Sequence, residues 1–132
     1  MLIKSRIYFY VFLIGAVLYS TLEVAFRGYT HWTMFLAGGV IFLLIYLINK
    51  YLCTNSLTVR CLLSTLIITT GELIAGIVVN IVLNMNVWDY SNQPFNFLGQ
   101  ICLVFTAAWF IVSIPACLLS IFINRTLEKQ IT

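Results

Sequence analysis

Charged residues are scarce in this chain, since Lys, Arg, Asp and Glu together make up 8% of its 132 residues. A soluble domain has roughly 25% charged residues, and a chain this short keeps a large surface that water would have to wet. With 62% apolar residues and a mean hydropathy of +1.05, the chain is therefore predicted to have lipid as its solvent.

The sequence also lacks the motifs of soluble enzymes and metal sites. It has no phosphate loop, no HExxH motif, no dinucleotide fingerprint and no GxSxG elbow, which excludes a conventional ATP-driven motor. Its four cysteines have neither disulfide-framework nor zinc-ligand spacing, and we predict that they are small packing residues: Cys53, Cys61, Cys102 and Cys117. We predict neither a cofactor nor a metal site.

Four long apolar runs give the expected elements, because a spanning helix needs about 20 mostly apolar residues. The runs do not alternate as the strands of a membrane barrel would, and a helix satisfies its own backbone hydrogen bonds in lipid. We predict an all-α integral membrane four-helix bundle, built as two hairpins in a single transmembrane domain over residues 1–132. Its helices should cover about residues 7–26, 32–52, 61–85 and 97–123.

The basic residues predict the orientation. Six of the seven precede the first helix, flank the middle loop or follow the fourth helix, and only Arg27 lies in the other set of loops. By the positive-inside rule, both termini and the middle loop should be cytoplasmic in a multi-pass protein of the plasma membrane. The basic residues form no patch, so we expect the lipid bilayer as a partner and no nucleic acid.

Glu72 is the polar residue that most needs an explanation. It lies roughly twelve residues beyond Arg60, hence about 18 Å along the helix axis and near the bilayer centre. A carboxylate there costs about 2.5–3.5 kcal/mol on insertion scales. Steps of four residues place Gly76, Asn80 and Asn84 near the same face, so this face should point to protein or water.

Most other polar residues fall in the predicted outer half of the bilayer. Glu23 and Arg27 are spaced to pair on the first helix, and His31 follows in the next turn. With the second outer loop they define a polar site that opens outward above Glu72. Its candidate ligand-binding residues are Glu72, Asn80, Asp89, Asn96, Glu23, Arg27, His31, Tyr90 and Gln100.

A purely structural interpretation is also open. Asn and Thr side chains can join helices by hydrogen bonds, and Glu23 with Arg27 could be a structural ion pair. An interfacial aromatic belt would contain the same aromatic residues: Trp32, Trp88, Tyr29 and Tyr90.

Two stretches resemble the bacterial membrane-protein family named putative ABC-transporter type IV. The first runs from Glu72 through Asn80 to the sequence WDYS at 88–91, then to PFN at 94–96, Gly99, ICL at 101–103 and Trp109. The second contains Tyr19, Glu23, the sequence RGYTH at 27–31, Met34, Gly38–Gly39 and Asn49. The resemblance implies a small multi-pass membrane protein, shorter than many relatives, and its matching residues coincide with the outer polar set.

Our leading hypothesis is a transport-related or ligand-binding membrane protein that takes a small polar or cationic ligand. Because four short helices enclose little volume, a permeation path should need a homo-oligomer or a membrane partner subunit. The alternative is a non-catalytic structural or regulatory subunit of a larger membrane complex, which would use its glycine-lined faces. An intramembrane enzyme ranks third, because no nucleophile–base or metal constellation accompanies His31, Glu23 and Asp89.

Overall fold

A computed structural model describes residues 2–52 and 56–131 of the chain. Its four α-helices are α1 (Leu2–Arg27), α2 (Trp32–Tyr51), α3 (Leu57–Gly76) and α4 (Leu103–Ile131), and a π-helix (Ile77–Val82) continues α3 without a break. Four stretches are long and apolar enough to cross a membrane, of 25, 20, 26 and 25 residues in chain order, and the third of them, Leu57–Val82, comprises α3 and the π-helix. The all-helical membrane prediction is confirmed in these terms, because about 20 residues at 1.5 Å rise span the hydrocarbon core.

The chain divides into two compact units. The first comprises Met1–Asn55 and Ala116–Thr132, and the second comprises Ser56–Pro115. The boundary in α4 falls at Pro115, a residue that interrupts helical hydrogen bonding because it has no backbone N–H. The arrangement as two hairpins with cytoplasmic termini, and the single domain over residues 1–132, stay predictions.

Local signals in the sequence set the ends of the helices in the first unit. Gly28 has a φ of +82° and donates its N–H to the Val24 carbonyl at 2.8 Å, a left-handed ending that glycine adopts without strain. His31 then caps α2, since its Nδ1 accepts the Thr33 backbone N–H at 3.3 Å. These two features produce the short connection between α1 and α2.

Glycines allow α1 and α2 to approach each other closely. A Cβ atom on Gly15 would lie 2.3 Å from the Phe42 Cβ, and one on Gly38 would lie 2.6 Å from the Tyr19 Cβ. Tight contact through small residues is how helices gain packing energy in lipid, where there is little hydrophobic drive for association. These two glycines therefore pack against the neighbouring helix of the same chain.

The core of the first unit forms around Val11, Phe42 and Tyr46, which are 0%, 7% and 2% exposed. Partly buried apolar side chains from α1, α2 and the second half of α4 pack against this cluster. Other large apolar side chains are exposed on every helix, for example Leu66 at 63% and Ile111 at 67%. A surface of this kind suits a hydrocarbon environment.

The second unit departs from the predicted helix limits. Residue 97 does not begin a helix: residues 96–102 form two short antiparallel strands, β1 (Asn96–Phe97) and β2 (Ile101–Cys102), and α4 begins at Leu103. Leu98 and Gly99 have φ values of +56° and +71°, which a right-handed helix cannot contain. At the other end of the unit, Ser56 caps α3 through its Oγ, which accepts the Val59 N–H at 3.4 Å, so this helix begins at Leu57, earlier than predicted.

Three of the four cysteines lie in the described residues. Cys61, Cys102 and Cys117 are buried thiols outside any disulfide in this part of the chain, with exposures of 1%, 2% and 0%. Their burial agrees with a packing role. Cys53 lies outside the described residues.

Candidate functional site

Glu72 is buried and hydrogen-bonded through both carboxylate oxygens. It is 6% exposed, and its Oε1 accepts the Tyr90 hydroxyl at 2.9 Å while its Oε2 accepts the Trp109 indole N–H at 2.9 Å. Both of these hydrogen-bond partners of Glu72 are neutral side chains, a phenol and an indole. The prediction that this side chain points to protein is therefore met within the second unit.

Tyr90 is held in place by its backbone and by its ring. Its N–H donates to the Gly99 carbonyl at 2.7 Å, which ties the residue to the turn between β1 and β2. Its ring stacks on Phe105 of α4, with centroids 4.8 Å apart and planes 12° from parallel. A stacked ring aims the hydroxyl with little rotational freedom, since the offset-stacked geometry is itself favourable.

Asn80 lies in the π-helix and contacts the loop that follows it. Its Oδ1 accepts the Val87 backbone N–H at 2.7 Å, and its Nδ2 donates to Gln100 Oε1 at 2.8 Å. Beyond the π-helix, Asn84 and Asn86 both have a φ of +52°, a region that asparagine tolerates better than most residues. After the π-helix the chain thus turns back, and the Asn80 side chain stabilises this turn through its hydrogen bond to Val87. Short π segments in helices occur frequently at functional sites.

Gln100 bonds to the π-helix through Asn80 and to the loop before α4 through Leu98 and Trp88. It is 5% exposed. Its side-chain Nε2 donates to the Leu98 carbonyl at 3.0 Å, and its backbone carbonyl accepts the Trp88 indole N–H at 3.0 Å. Gly76 makes room for it, because a Cβ there would lie 2.6 Å from Gln100 Oε1 and 3.0 Å from a Trp88 ring carbon. Asn80 and Gln100, two of the nine candidate residues, are thus in direct contact.

Asp89 and Asn96 build turns and are exposed. Asp89 Oδ1 accepts the Ser91 N–H at 2.9 Å and also the Ser91 hydroxyl, and these bonds lower the pKa of the Asp89 carboxyl below its ordinary value. Asn96 donates to the Gln93 carbonyl at 2.9 Å and accepts the Gly99 N–H at 3.1 Å. The contacts of both residues shape the loop, and their role in binding a ligand stays a prediction.

Glu23 and Arg27 form the ion pair expected from their spacing, in the first unit. Arg27 Nη1 lies 3.1 Å from Glu23 Oε1, with side-chain exposures of 30% and 4%. The same guanidinium donates to the Tyr29 hydroxyl at 2.7 Å and lies 4.7 Å from the centre of its ring, within the range of a cation–π interaction. Glu23 Oε2 is buried without a hydrogen-bond partner in the described residues.

His31 has a structural contact at the start of α2. Besides the cap to the Thr33 N–H, its Nδ1 lies 2.6 Å from Thr33 Oγ1. Its ring also lies beside that of Trp32, with centroids 5.6 Å apart. The structure thus brings Glu72 to Tyr90, Asn80 to Gln100, and Glu23 to Arg27, while a ligand-binding role for each of the nine residues stays a prediction.

Sequence reasoning did not identify Trp109 as a partner of Glu72. The two residues are 37 positions apart, so no helical spacing could connect them. The available signal was the place of Trp109 inside an apolar span, since indoles of membrane proteins prefer the interface. Phe105, one helical turn before Trp109, was also missed as the stacking partner of Tyr90, because the two are far apart in the sequence.

Comparison with known proteins shows a family match. The family model described as putative ABC-transporter type IV matches residues 10–131, almost the whole chain and the whole network around Glu72. No solved structure matches the chain.

Proposed function

Because the chain belongs to the family described as putative ABC-transporter type IV, we propose that it is a transport-related membrane protein that binds a cationic group at Glu72. The observation that carries the proposal is a buried carboxylate whose two recorded partners are a phenol and an indole. We place the site on the side of the membrane opposite the basic loops, in the plasma membrane, with both termini in the cytoplasm.

The cost of burying Glu72 supports a cationic ligand. Counting along the helix, it lies ten residues before Val82, hence roughly 15 Å from that end of the span. A charged side chain at such a depth normally pairs with an opposite charge or faces a polar cavity. A carboxylate offers about four acceptor positions, and Tyr90 and Trp109 occupy two of them. A bound cation would compensate the charge through the others.

The surroundings of the carboxylate suit a monovalent cation. Tyr90, Phe105 and Trp109 bring aromatic rings to this part of the unit, and aromatic faces attract cations by about 0.5–2 kcal/mol. Asn80, about two helical turns beyond Glu72 in the chain, supplies an amide group that bonds to Gln100. A divalent metal would call for more carboxylates or imidazoles, and the described residues contain no group of three such side chains.

Binding can be tested with the protein in lipid nanodiscs. Sodium, potassium and tetramethylammonium chloride are titrated separately at constant ionic strength, and the intrinsic tryptophan fluorescence is recorded. We expect at least one cation to give a saturable change, because Trp109 donates directly to Glu72. Glu72→Gln should abolish the change, whereas Glu128→Gln, which removes a carboxylate 56 positions further along the chain, should retain it.

Two outcomes would count against the proposal. An unchanged titration in the Glu72→Gln variant would remove the site. Copurification of a membrane partner in mild detergent, together with no response to any of the three cations, would favour the structural-subunit alternative. A Glu23→Gln variant tests the other buried carboxylate separately: lost cation binding would assign Glu23 a part in binding, and retained binding would not.

A further inference from the structure

Three apolar side chains are exposed in the loop between the third and fourth spans. Phe95, Phe97 and Leu98 are 83%, 55% and 58% exposed, and we call them the apolar tip. Water would be an unfavourable solvent for them, because exposed apolar surface of this kind marks a contact with lipid or protein. The neighbouring polar side chains, by contrast, are bonded within the loop.

Two residues of this tip have an unfavourable backbone conformation. Phe95 and Leu98 both have a φ of +56°, a left-handed conformation that is unfavourable for bulky side chains. Asn96, between them, fixes the turn through its bonds to Gln93 and Gly99. Strained residues persist only where surrounding structure enforces them. Here the enforced conformation places two large apolar groups at the surface.

The tip lies close to the expected membrane boundary. Phe97 pairs with Ile101, which is two residues before Leu103, the first residue of a spanning helix. Two extended residues cover about 7 Å. The polar headgroup layer on each side of the hydrocarbon core is about 5–8 Å thick. The tip is therefore within reach of the lipid interface.

Charge and continuity favour lipid over a protein partner. No Asp, Glu, Lys or Arg occurs from residue 90 to residue 124, so the tip has no charge with which to select a charged partner. The same stretch continues into Leu103 and Val104, which are 59% and 56% exposed at the start of α4. Exposed apolar side chains thus occur both in the tip and at the start of the spanning helix α4.

We propose that the apolar tip inserts into the headgroup region of a neutral lipid bilayer and anchors the loop that carries Tyr90. Aromatic and apolar side chains at the interface fix elements at this depth. Tyr90 is bonded to Gly99 in the same turn, so an anchored tip would hold the loop against the end of its helices.

The proposal can be tested with a fluorophore at the tip. Leu98→Cys is labelled with a nitrobenzoxadiazole dye in a Cys53→Ser background, where the three described cysteines are buried. The protein is reconstituted in phosphatidylcholine vesicles containing a lipid with a nitroxide either near the headgroup or at the chain end. The matched control is Asn92→Cys, at an exposed polar position of the same loop.

We expect blue-shifted emission from the Leu98 label and stronger quenching by the headgroup nitroxide than by the chain-end nitroxide. The Asn92 label should emit as in water. Water-like emission from both labels would overturn the proposal. Emission that returns to the water-like value as the protein is diluted with lipid would also overturn it, because it would show that a second copy covers the tip. No ligand is needed, so a failure of cation binding at Glu72 would leave this result intact.

Discussion

Removing the Tyr90 hydroxyl should expose how strongly the loop is coupled to Glu72. Tyr90→Phe deletes the donor to Oε1 at 2.9 Å and keeps the ring that stacks on Phe105 at 4.8 Å. The change therefore isolates one hydrogen bond. Glu72→Met removes the acceptor with a side chain of similar length, and the double variant completes a thermodynamic cycle.

The expected coupling energy follows from the kind of acceptor. Hydrogen bonds to charged groups contribute about 1.5–3 kcal/mol, whereas neutral side-chain hydrogen bonds between membrane helices average about 0.6 kcal/mol. Because Glu72 is buried, little water can replace the lost donor. We expect a coupling energy of at least about 1.5 kcal/mol, which corresponds to roughly a tenfold change in the unfolding equilibrium.

The assay is equilibrium unfolding in mixed micelles titrated with sodium dodecyl sulfate, followed by far-ultraviolet circular dichroism. Tyr10→Phe is the control, since it deletes the same hydroxyl from a tyrosine that is 60% exposed and should change the free energy of unfolding little. A coupling near about 0.6 kcal/mol would mean that the pair behaves as an ordinary neutral contact. That result would refute the argument that a negative charge on Glu72 strengthens its hydrogen bond to Tyr90.

Two further predictions concern the parts that support this contact. Gly76→Ala should destabilise the protein by about 1–3 kcal/mol in the same assay. The new Cβ would lie 2.9 Å from the Gln100 Cβ, an atom that cannot move aside by a side-chain rotation. An effect within about 0.3 kcal/mol would mean that the second unit is loosely packed. Asp89→Asn should lower stability at neutral pH, and its difference from the wild type should vanish as the pH falls. The sign follows because Ser91 lowers the pKa of Asp89 from 3.8, so the contribution is complete above that value and is lost as the pH falls through the folded-state pKa. Urea-assisted unfolding from pH 2 to 6 measures it, and a difference that grows toward low pH would contradict it.

The alternatives raised by the aromatic residues have separate outcomes. Trp32 and Tyr29 are 62% and 56% exposed, as members of an interfacial belt would be. Trp88 is 7% exposed and donates to the Gln100 carbonyl, while Tyr90 bonds to Glu72. Composition could not separate these pairs, because an aromatic residue near a span has the same sequence signature whether it faces lipid or a polar partner.

Helical spacing predicted part of the candidate site. Glu23 and Arg27 pair as an interval of four requires, and the same interval selected Gly76 at the end of α3 and Asn80 in the π-helix. The interval failed one step later, because the π-helix ends at Val82 and Asn84 has a left-handed backbone. A widened turn leaves no periodic mark in an apolar sequence.

The sequence by itself determined the solvent, the four spanning helices and the residues too polar to face lipid, because hydrophobic length and charge act locally along the chain. Tertiary structure decided which partners those polar residues take. Trp109 reaches Glu72 across 37 positions, and Gln100 meets Asn80 through a turn that the sequence suggested was helix. Such contacts depend on how separate segments fold onto one another, and hydropathy carries no information about that geometry.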